Sequence, residues 1–448
     1  MKISRLTWKT FLTVEPVLFL CACAFFMNIP LQKQFIYSKF SQKVGFPYSL
    51  QKDEIHGEMN AVKNDTMKKL ENEVQTLSSN FDSLNVPSQL LPSLIMGLFI
   101  GPWTDIGGRK PAILASVTGA IIEALFVIGV VYFELSLYLI LVGKLFNGLS
   151  GFFGSLTQAS FSYISDTTET SLVSTRLAIL QLVIFTGGFL GQAFSGIIMS
   201  RFGFLSPCLI ILVLSLAAFS YSLYSVPESL PRTDHSHSLF TTGSFTRLIQ
   251  VFTNSRPSSQ RWNLLVLVLL NTIYFIVAMG TRSVNILYLM RSPISLSPTL
   301  LGAYTALRFL MEGLGGIIGV VVLKKYLKEE NVIRVGFLSL GLSMTWLGFV
   351  ANKEQAFTVP VVGSICGILM PTIKGMAANI VTIQEKGSMF TAITGIEGLS
   401  MIIGSLLCNT MYVYFSSTGK PGLVFVFFGT LSLLSIFIVS ILQKPKEE

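Results

Sequence analysis

The sequence predicts an all-α polytopic membrane protein with twelve transmembrane helices arranged as two six-helix halves. Three observations lead to this fold class: the apolar composition, the number of long apolar runs, and the placement of basic residues between those runs. The 448-residue chain is 51% hydrophobic and only 12% charged, with a mean hydropathy of +0.65. Soluble domains carry about 25% charged residues, so this composition places the chain in a lipid bilayer.

Twelve apolar runs reach the length of about 20 residues that a membrane-spanning helix needs. They cover approximately residues 11–30, 86–104, 111–133, 137–164, 177–199, 205–226, 263–290, 299–323, 332–350, 357–383, 388–415 and 422–442. A Ser- and Thr-rich stretch, residues 227–262, separates the sixth run from the seventh. The sequence therefore predicts an N-terminal half (1–226), a cytosolic linker (227–262) and a C-terminal half (263–448).

The net charge of +9 reflects membrane topology, and we do not expect a nucleic-acid partner. If the runs alternate across the bilayer, most basic residues fall on the side that holds both termini and the linker. The short loops on the opposite side contain only Arg201, Arg291, Lys353 and Lys420. Because basic loop residues stay in the cytosol, both termini are predicted to be cytosolic. As a separate expectation, the protein lies in the plasma membrane or the lysosomal membrane.

The polar segment between the first two runs, residues 31–85, is predicted to be a long extracellular or lumenal loop, with an amphipathic helix within residues 53–81. It holds the sequon Asn64-Asp65-Thr66, and Asn64 is therefore a candidate glycosylation site. All five cysteines lie inside apolar runs, so no extracellular disulfide is expected.

A short charged link joins the second and third runs: Gly101-Pro-Trp-Thr-Asp105-Ile-Gly-Gly108-Arg109-Lys110. Its pattern, Gly-x-x-x-Asp-x-x-Gly-Arg-(Arg/Lys), resembles the signature loop between helices 2 and 3 of the major facilitator superfamily of rocker-switch transporters. The resemblance implies the major facilitator fold, with two halves that give alternating access. It also implies a gating role for a set of residues that includes an acceptor for Arg109 at the end of the fourth run. These gating candidates are Gly101, Asp105, Gly108, Arg109, Lys110 and Asp166.

Several shorter segments resemble one branch of that superfamily, the proton-coupled folate transporters and thymic stromal cotransporters. They are Val14-Glu15-Pro16, Leu287-Tyr288, Leu301-Gly302-Ala303-Tyr304 and Pro371-Thr-Ile-Lys374-Gly375. The resemblance implies a carboxylate where Gln181 stands and a histidine where Ala278 stands. Neither residue titrates. Proton coupling is therefore expected to be lost, or moved to Glu397 or Glu312.

Ionisable residues inside membrane spans are expensive, and each is a functional hypothesis. By the resemblance, spans 1, 4, 7 and 10 line the transport pathway, and Lys144, Arg282 and Lys374 each fall on one of them. Arg308 adds a fourth base, against Glu312 and Glu397 as candidate partners. Surplus positive charge attracts anions, and Tyr288 and Tyr304 offer rings for planar groups. The alternative is that every base is matched by a carboxylate and only holds helices together.

We therefore expect a monomeric transporter of a small organic anion, folate-like or other, working by facilitated diffusion or with protons as a second partner. One alternative cargo is a cyclic dinucleotide or a muropeptide-like solute, carried by a transporter or exchanger. The other alternative is a membrane receptor or scaffold that keeps the fold without transporting. The chain contains no phosphate-binding loop, zinc-spaced cysteine and histidine set or nucleophile motif. We therefore predict neither an enzyme nor a cofactor or metal site.

Overall fold

The computed structural model describes residues 13–48, 65–169, 173–229, 253, 258–381 and 386–442. This part of the chain is helical throughout, and every predicted span falls on a helix. The α-helices are α1 (Glu15–Val44), α2 (Asp65–Gly107), α3 (Arg109–Tyr132), α4 (Tyr138–Leu149), α5 (Phe152–Thr167), α6 (Val173–Phe202), α7 (Leu205–Ser225), α8 (Ser258–Ala278), α9 (Arg282–Met290), α10 (Pro298–Ile318), α11 (Glu329–Phe349), α12 (Lys353–Val362), α13 (Leu369–Ile380), α14 (Lys386–Ser417) and α15 (Leu423–Val439). After α10 the chain continues through a π-helical turn (Gly319–Leu323) and one short turn of α-helix (Lys324–Tyr326).

Among the described residues, nine helical segments are long and apolar enough to cross a membrane by length and composition alone. The other predicted spans lie in α2, α10 and α15. The α2 helix carries a long polar extension, α10 contains one arginine and one glutamate, and α15 has only 17 residues.

Three predicted spans are each built from two helices. The fourth is α4 followed by α5, the seventh is α8 followed by α9, and the tenth is α12 and α13 joined by a 3₁₀ turn at Ser364–Ile368. The first break requires glycine, because Gly151 has φ of +93°. At the second break, a Cβ on Gly280 would lie 2.5 Å from the carbonyl carbon of Gly404 on α14. Breaks at corresponding places in two halves are typical of transporter binding sites, because freed backbone groups and half-helix ends face the pathway.

The first two helices extend well beyond their predicted ends. Residues 31–44 and 65–85, expected in the polar loop, are helical. Hydropathy does not reveal that these extensions are buried, because some of their polar side chains bond to buried partners on other helices and not to solvent: Lys33, Gln75, Ser79 and Asp82. The sequon residue Asn64 lies outside the described residues, as do residues 230–252 and 254–257 of the predicted linker.

Contacts between Cα atoms divide the chain into two compact units. The N-terminal unit comprises Met1–Gln32 and Ser88–Thr241, and the C-terminal unit comprises Lys33–Pro87 and Thr242–Glu448. In the N-terminal unit α3 packs against α4, α5 and α7; in the C-terminal unit α11 packs against α15, and α8 packs against α14. The far ends of α1 and α2 therefore belong, by their contacts, with the C-terminal helices.

Candidate functional site

Two arginines share one glutamate in the C-terminal unit. Arg282 begins α9, and Arg308 and Glu312 lie one turn apart on α10. The Arg282 Nη2 atom donates to Glu312 Oε2 at 2.9 Å, and Arg308 Nε donates to Glu312 Oε1 at 2.9 Å. The Arg308 side chain is 12% exposed and the Arg282 side chain 32% exposed. One carboxylate cannot neutralise two guanidinium groups, so this cluster carries a surplus positive charge.

Arg282, the more exposed arginine of the cluster, has a hydrogen-bond donor without an acceptor. The Nε atom of Arg282 is buried and has no hydrogen-bond partner among the described residues. A buried donor without a partner costs about 1–3 kcal/mol, and an anionic acceptor would remove that cost. Guanidinium groups bind carboxylates and phosphates through two parallel N–H bonds. Arg282 therefore has the charge and the donors of an anion-binding residue.

Lys374 and Glu397 form a second ion pair in the same unit. Lys374 lies on α13, and its Nζ atom lies 2.8 Å from Glu397 Oε1 and 3.0 Å from Glu397 Oε2 on α14. Asn271 Nδ2 on α8 donates to Glu397 Oε1 at 3.0 Å. The pair is balanced in charge and joins three helices.

Tyr288 and Tyr304 are both engaged in packing. Tyr304 is fully buried, its Oη accepts from Asn285 Nδ2 at 3.4 Å, and its ring lies edge-on to Phe357. The Tyr288 ring packs against Phe425 with centroids 5.0 Å apart, and its hydroxyl donates to Val350 O at 3.4 Å. In this conformation neither ring presents an open face for stacking.

Lys144 lies in a buried polar network of the N-terminal unit. Its Nζ atom is 3.4 Å from Glu123 Oε1 and donates to Gln89 Oε1 at 3.2 Å. Four amide side chains also donate to the Glu123 carboxylate, at 3.0, 2.9, 2.9 and 2.5 Å: Asn28, Gln32, Gln89 and Asn147. The Glu123 carboxylate therefore matches the charge of Lys144, which is left with no surplus charge to offer an anion.

A small cavity borders this network. It has a volume of about 40 Å³ and is lined by Asn28, Glu123 and Asn147 on one side and by Phe25, Phe152 and Phe153 on the other. The Phe25 and Phe153 rings stack with centroids 4.9 Å apart. A space of this size holds a few water molecules.

The charged link between α2 and α3 forms a network at one end of the N-terminal unit. Arg109 Nε donates to Asp166 Oδ2 at 2.9 Å, and an Arg109 Nη1 atom donates to Thr104 Oγ1 at 2.8 Å. Lys110 Nζ donates to Leu223 O at 2.7 Å. Gly101 lies within α2, and Gly108 turns the chain with φ of +99°. The side chain of Asp105 lies outside the described residues.

The carboxylate of Glu228, which is not among the predicted gating residues, completes this network. Glu228, just after α7, accepts from the backbone N–H of Arg109 at 2.9 Å and of Lys110 at 3.2 Å. A negative charge at the first turn of α3 complements the helix dipole. The segment Val226-Pro227-Glu228-Ser229 at the end of the sixth span was the available signal, because it puts an acid at the same membrane surface as the link. At that surface Glu15 also pairs with Arg176 at 2.8 Å.

Comparison with known proteins gives the family. The model of the Major Facilitator Superfamily matches residues 14–281 and 270–448. Over 431 residues the chain is 22% identical to the proton-coupled folate transporter of Bos taurus, covering 96% of this chain and 92% of that protein. It is 25% identical over 434 residues to the lysosomal proton-coupled steroid conjugate and bile acid symporter of Homo sapiens, and the match covers 94% of this chain and 92% of that protein.

Solved structures show the same fold. The nucleoside transporter NupG has a TM-score of 0.72 at 12% identity, covering 97% of this chain and 100% of that one. The human organic anion transporter MFSD10 has a TM-score of 0.63 at 14% identity, and the match covers 96% of this chain and 99% of that one. The chain thus belongs to the major facilitator superfamily, as a multi-pass membrane transporter related along almost its whole length to the proton-coupled folate transporter and the lysosomal steroid conjugate and bile acid symporter.

Proposed function

We propose that this protein moves a small organic anion across the membrane by alternating access. The observation that carries the proposal is the cluster on α9 and α10, where Arg282 and Arg308 share Glu312. The other ion pairs of the candidate site, Lys144 with Glu123 and Lys374 with Glu397, are balanced in charge. The positive charge that attracts the substrate is therefore assigned to the start of α9, at the break in the seventh span.

The proposed substrate carries a carboxylate, sulfate or phosphate group on a bulky and largely apolar body. The charged group would bind the exposed part of the Arg282 guanidinium. The names of the relatives support this class, because folates, steroid conjugates and bile acids all join an anionic group to a ring system. The bilayer and a small anion are then the partners of this chain, and protons are a third.

Proton coupling is proposed to involve Glu397. The positions where the folate-transporter branch places titrating groups are Gln181 and Ala278 in this chain, and neither can carry a proton. Glu397 is buried, 6% exposed, and is held by Lys374 and Asn271. Of the two carboxylates proposed for coupling, Glu312 is bound by two arginines and Glu397 by one lysine. Coupling is therefore assigned to Glu397, which has the fewer cationic partners.

Substitution of Glu397 by glutamine tests this assignment. We expect Glu397→Gln to abolish accumulation driven by a pH gradient while substrate exchange at equal pH continues, because a glutamine cannot release a proton. Proteoliposomes loaded with substrate and held with or without an imposed pH gradient separate the two activities. Full pH-driven accumulation by Glu397→Gln would remove Glu397 from the coupling mechanism.

The network of Arg109, Asp166 and Glu228 is proposed to be the cytosolic latch of the transport cycle. Its bonds join the α2–α3 link to the end of α5 and the segment after α7. Both termini would then be cytosolic, in the plasma membrane or the lysosomal membrane. In the same topology Asn64 lies on the extracellular or lumenal side of the membrane, where we propose that it is glycosylated.

Uptake by purified protein in proteoliposomes tests the function itself. We expect saturable uptake of at least one organic anion, stimulated when the medium outside is more acidic than the lumen. The panel contains folates, sulfated and glucuronidated steroids, bile acids, cyclic dinucleotides and muropeptide fragments, with a neutral nucleoside as the matched control. Uptake of the nucleoside alone would refute the anion proposal. Binding of an anion without uptake would favour a receptor that has kept the fold.

A further inference from the structure

We propose that Glu71 is a proton site of the transport cycle, which takes up a proton from the non-cytosolic side as the far ends of α1 and α2 close onto the C-terminal helices. This inference rests on the proposed transport function. We name this contact the outer latch. One side of it comprises residues 33–48 and 65–87. The other side comprises α9, Arg291–Ser292 and the second half of α14. All of these residues lie in the C-terminal unit.

The outer latch is a continuous set of buried polar contacts. Lys33 pairs with Asp82, and its Nζ atom donates to Ser283 Oγ on α9 at 2.8 Å. Gln75 Nε2 donates to Leu287 O on α9 at 3.1 Å. Further along α2, Ser79 Oγ donates to Asn409 Oδ1 on α14 at 2.8 Å. These bonds must break when the ends of α1 and α2 separate from α9 and α14. The structure therefore shows the outer latch closed.

Glu71 lies at the end of this latch, on a part of α2 beyond its predicted span. It is 8% exposed, and its Oε1 atom accepts from the backbone N–H of Ser292 at 2.9 Å. The neighbouring cation, Arg291, donates to the amide oxygen of Asn72. The groups that face Glu71 from other elements are Tyr37 on α1, Tyr412 on α14, and Arg291 with Ser292 after α9.

The other buried carboxylates differ from Glu71 in their partners. Glu15, Asp82, Glu123 and Glu397 each form an ion pair with a base. Within the described part of the chain, Glu71 forms none and depends on a backbone donor. Its Ser292 partner is on the opposite side of the latch, whereas Lys33 and Asp82 are both on the same side. Closure therefore moves the Glu71 carboxylate from water into a buried place without a salt bridge.

The direction of the proton linkage follows from this burial. Desolvation raises the pKa of Glu71, and the Ser292 N–H and the charge of Arg291 offset only part of that increase. A solvated glutamate has a pKa of about 4.3. Because the pKa is higher in the closed latch than in water, closure takes up a proton at pH values between the two. Acid on the outer side then stabilises the closed latch, and a pH above the raised pKa favours opening. The carboxylate becomes a carboxylic acid, and outer water supplies the proton.

The test measures opening of the latch and needs no substrate. Ser79→Cys, in a background whose five native cysteines are replaced, reports opening through labelling by a membrane-impermeant maleimide. Labelling is normalised at each pH to that of Glu73→Cys, because Glu73 is exposed on the same helix. We expect normalised labelling to fall by about threefold or more between outer pH 7.5 and an outer pH of about 4.3, the pKa of a solvated glutamate. In Glu71→Gln, a mimic of the protonated acid, we expect slow labelling at both pH values.

Glu73→Gln is the matched control and should keep the pH dependence of the parent protein. Gln75→Cys is a second reporter in case Ser79→Cys fails to fold. A Glu71→Gln protein whose labelling still varies with pH would overturn the proposal, as would loss of the variation in Glu73→Gln. If labelling depends on Glu71 but no anion is taken up, the proton site stands and the proposed function fails. If uptake is observed but labelling is independent of Glu71, only the proton site fails.

Discussion

Replacement of Arg282 by glutamine is expected to raise the KM for the anionic substrate about 10- to 100-fold while the protein stays folded. A hydrogen bond to a charged group contributes about 1.5–3 kcal/mol, and each 1.4 kcal/mol corresponds to about tenfold in affinity. The substitution leaves Arg308 and Glu312 as a balanced pair at 2.9 Å, so the remaining charges stay matched. Initial rates of anion uptake over a range of substrate concentrations measure the effect.

Arg334→Gln is the matched control for Arg282. Arg334 is a partly buried arginine of the same unit, on α11, where it donates to Ser440 and to Asn331. Its replacement should leave the KM within about twofold, since it belongs to no proposed site. Equal KM values for Arg282→Gln and the parent protein, with normal expression, would show that the surplus guanidinium does not bind substrate.

The fold class could be predicted because the bilayer imposes a simple requirement on the sequence. Each span must satisfy its own backbone, so it appears as a run of apolar residues. Periodicity predicts a helix within residues 53–81, and residues 65–81 are helical, but the burial of the far ends of α1 and α2 could not be predicted from hydropathy. Their polar residues, such as Gln75 and Asp82, resemble loop residues in composition, and only their partners on α9 and α14 make burial possible.

The ionisable residues of the candidate site could be predicted from the sequence. Which acid pairs with which base mostly could not. The sequence contains Lys144 and Glu123 as isolated charges on consecutive spans, and nothing in their spacing shows that they meet. Two pairs could be expected: Arg109 with Asp166, by the resemblance of the charged link, and Arg308 with Glu312, because residues four apart on a helix are neighbours. The position of Arg282 relative to that pair depends on the helix break at Gly280, which is set by the close approach of Gly404.

The ion pairs also distinguish two roles of buried bases that the sequence alone does not distinguish. A buried base with its own carboxylate stabilises the fold, whereas a base that shares a carboxylate can recruit an anion. Lys144 is of the first kind and Arg282 of the second, although both lie on interrupted spans. The two roles predict different consequences of substitution, in stability for Lys144 and in KM for Arg282.

Lys144→Met is therefore expected to destabilise the protein by about 3–5 kcal/mol, because it leaves the Glu123 carboxylate buried without a cation. A loss of this size should lower the apparent midpoint of thermal unfolding of the 448-residue chain by roughly 3–5 °C. All five native cysteines are buried and free, so a thiol-reactive dye reports unfolding directly. Lys420→Met, which removes an exposed lysine, is the control and should leave the midpoint unchanged.

The double variant Glu123→Gln with Lys144→Met decides between a structural and a substrate-binding lysine. It removes both charges, and the single side-chain oxygen of the new glutamine can still accept from Asn28 and Gln32. The amide nitrogen can donate to the Gln89 oxygen that Lys144 no longer occupies, once the Gln89 amide turns over. If the pair is structural, the double variant should recover at least about half of the lost midpoint, since no buried charge is left unpaired. Its KM for the anion should then equal that of the parent protein. A Lys144→Met protein with an unchanged midpoint and a tenfold higher KM would instead make Lys144 part of the anion site, and the surplus charge on α9 and α10 would no longer suffice to explain binding.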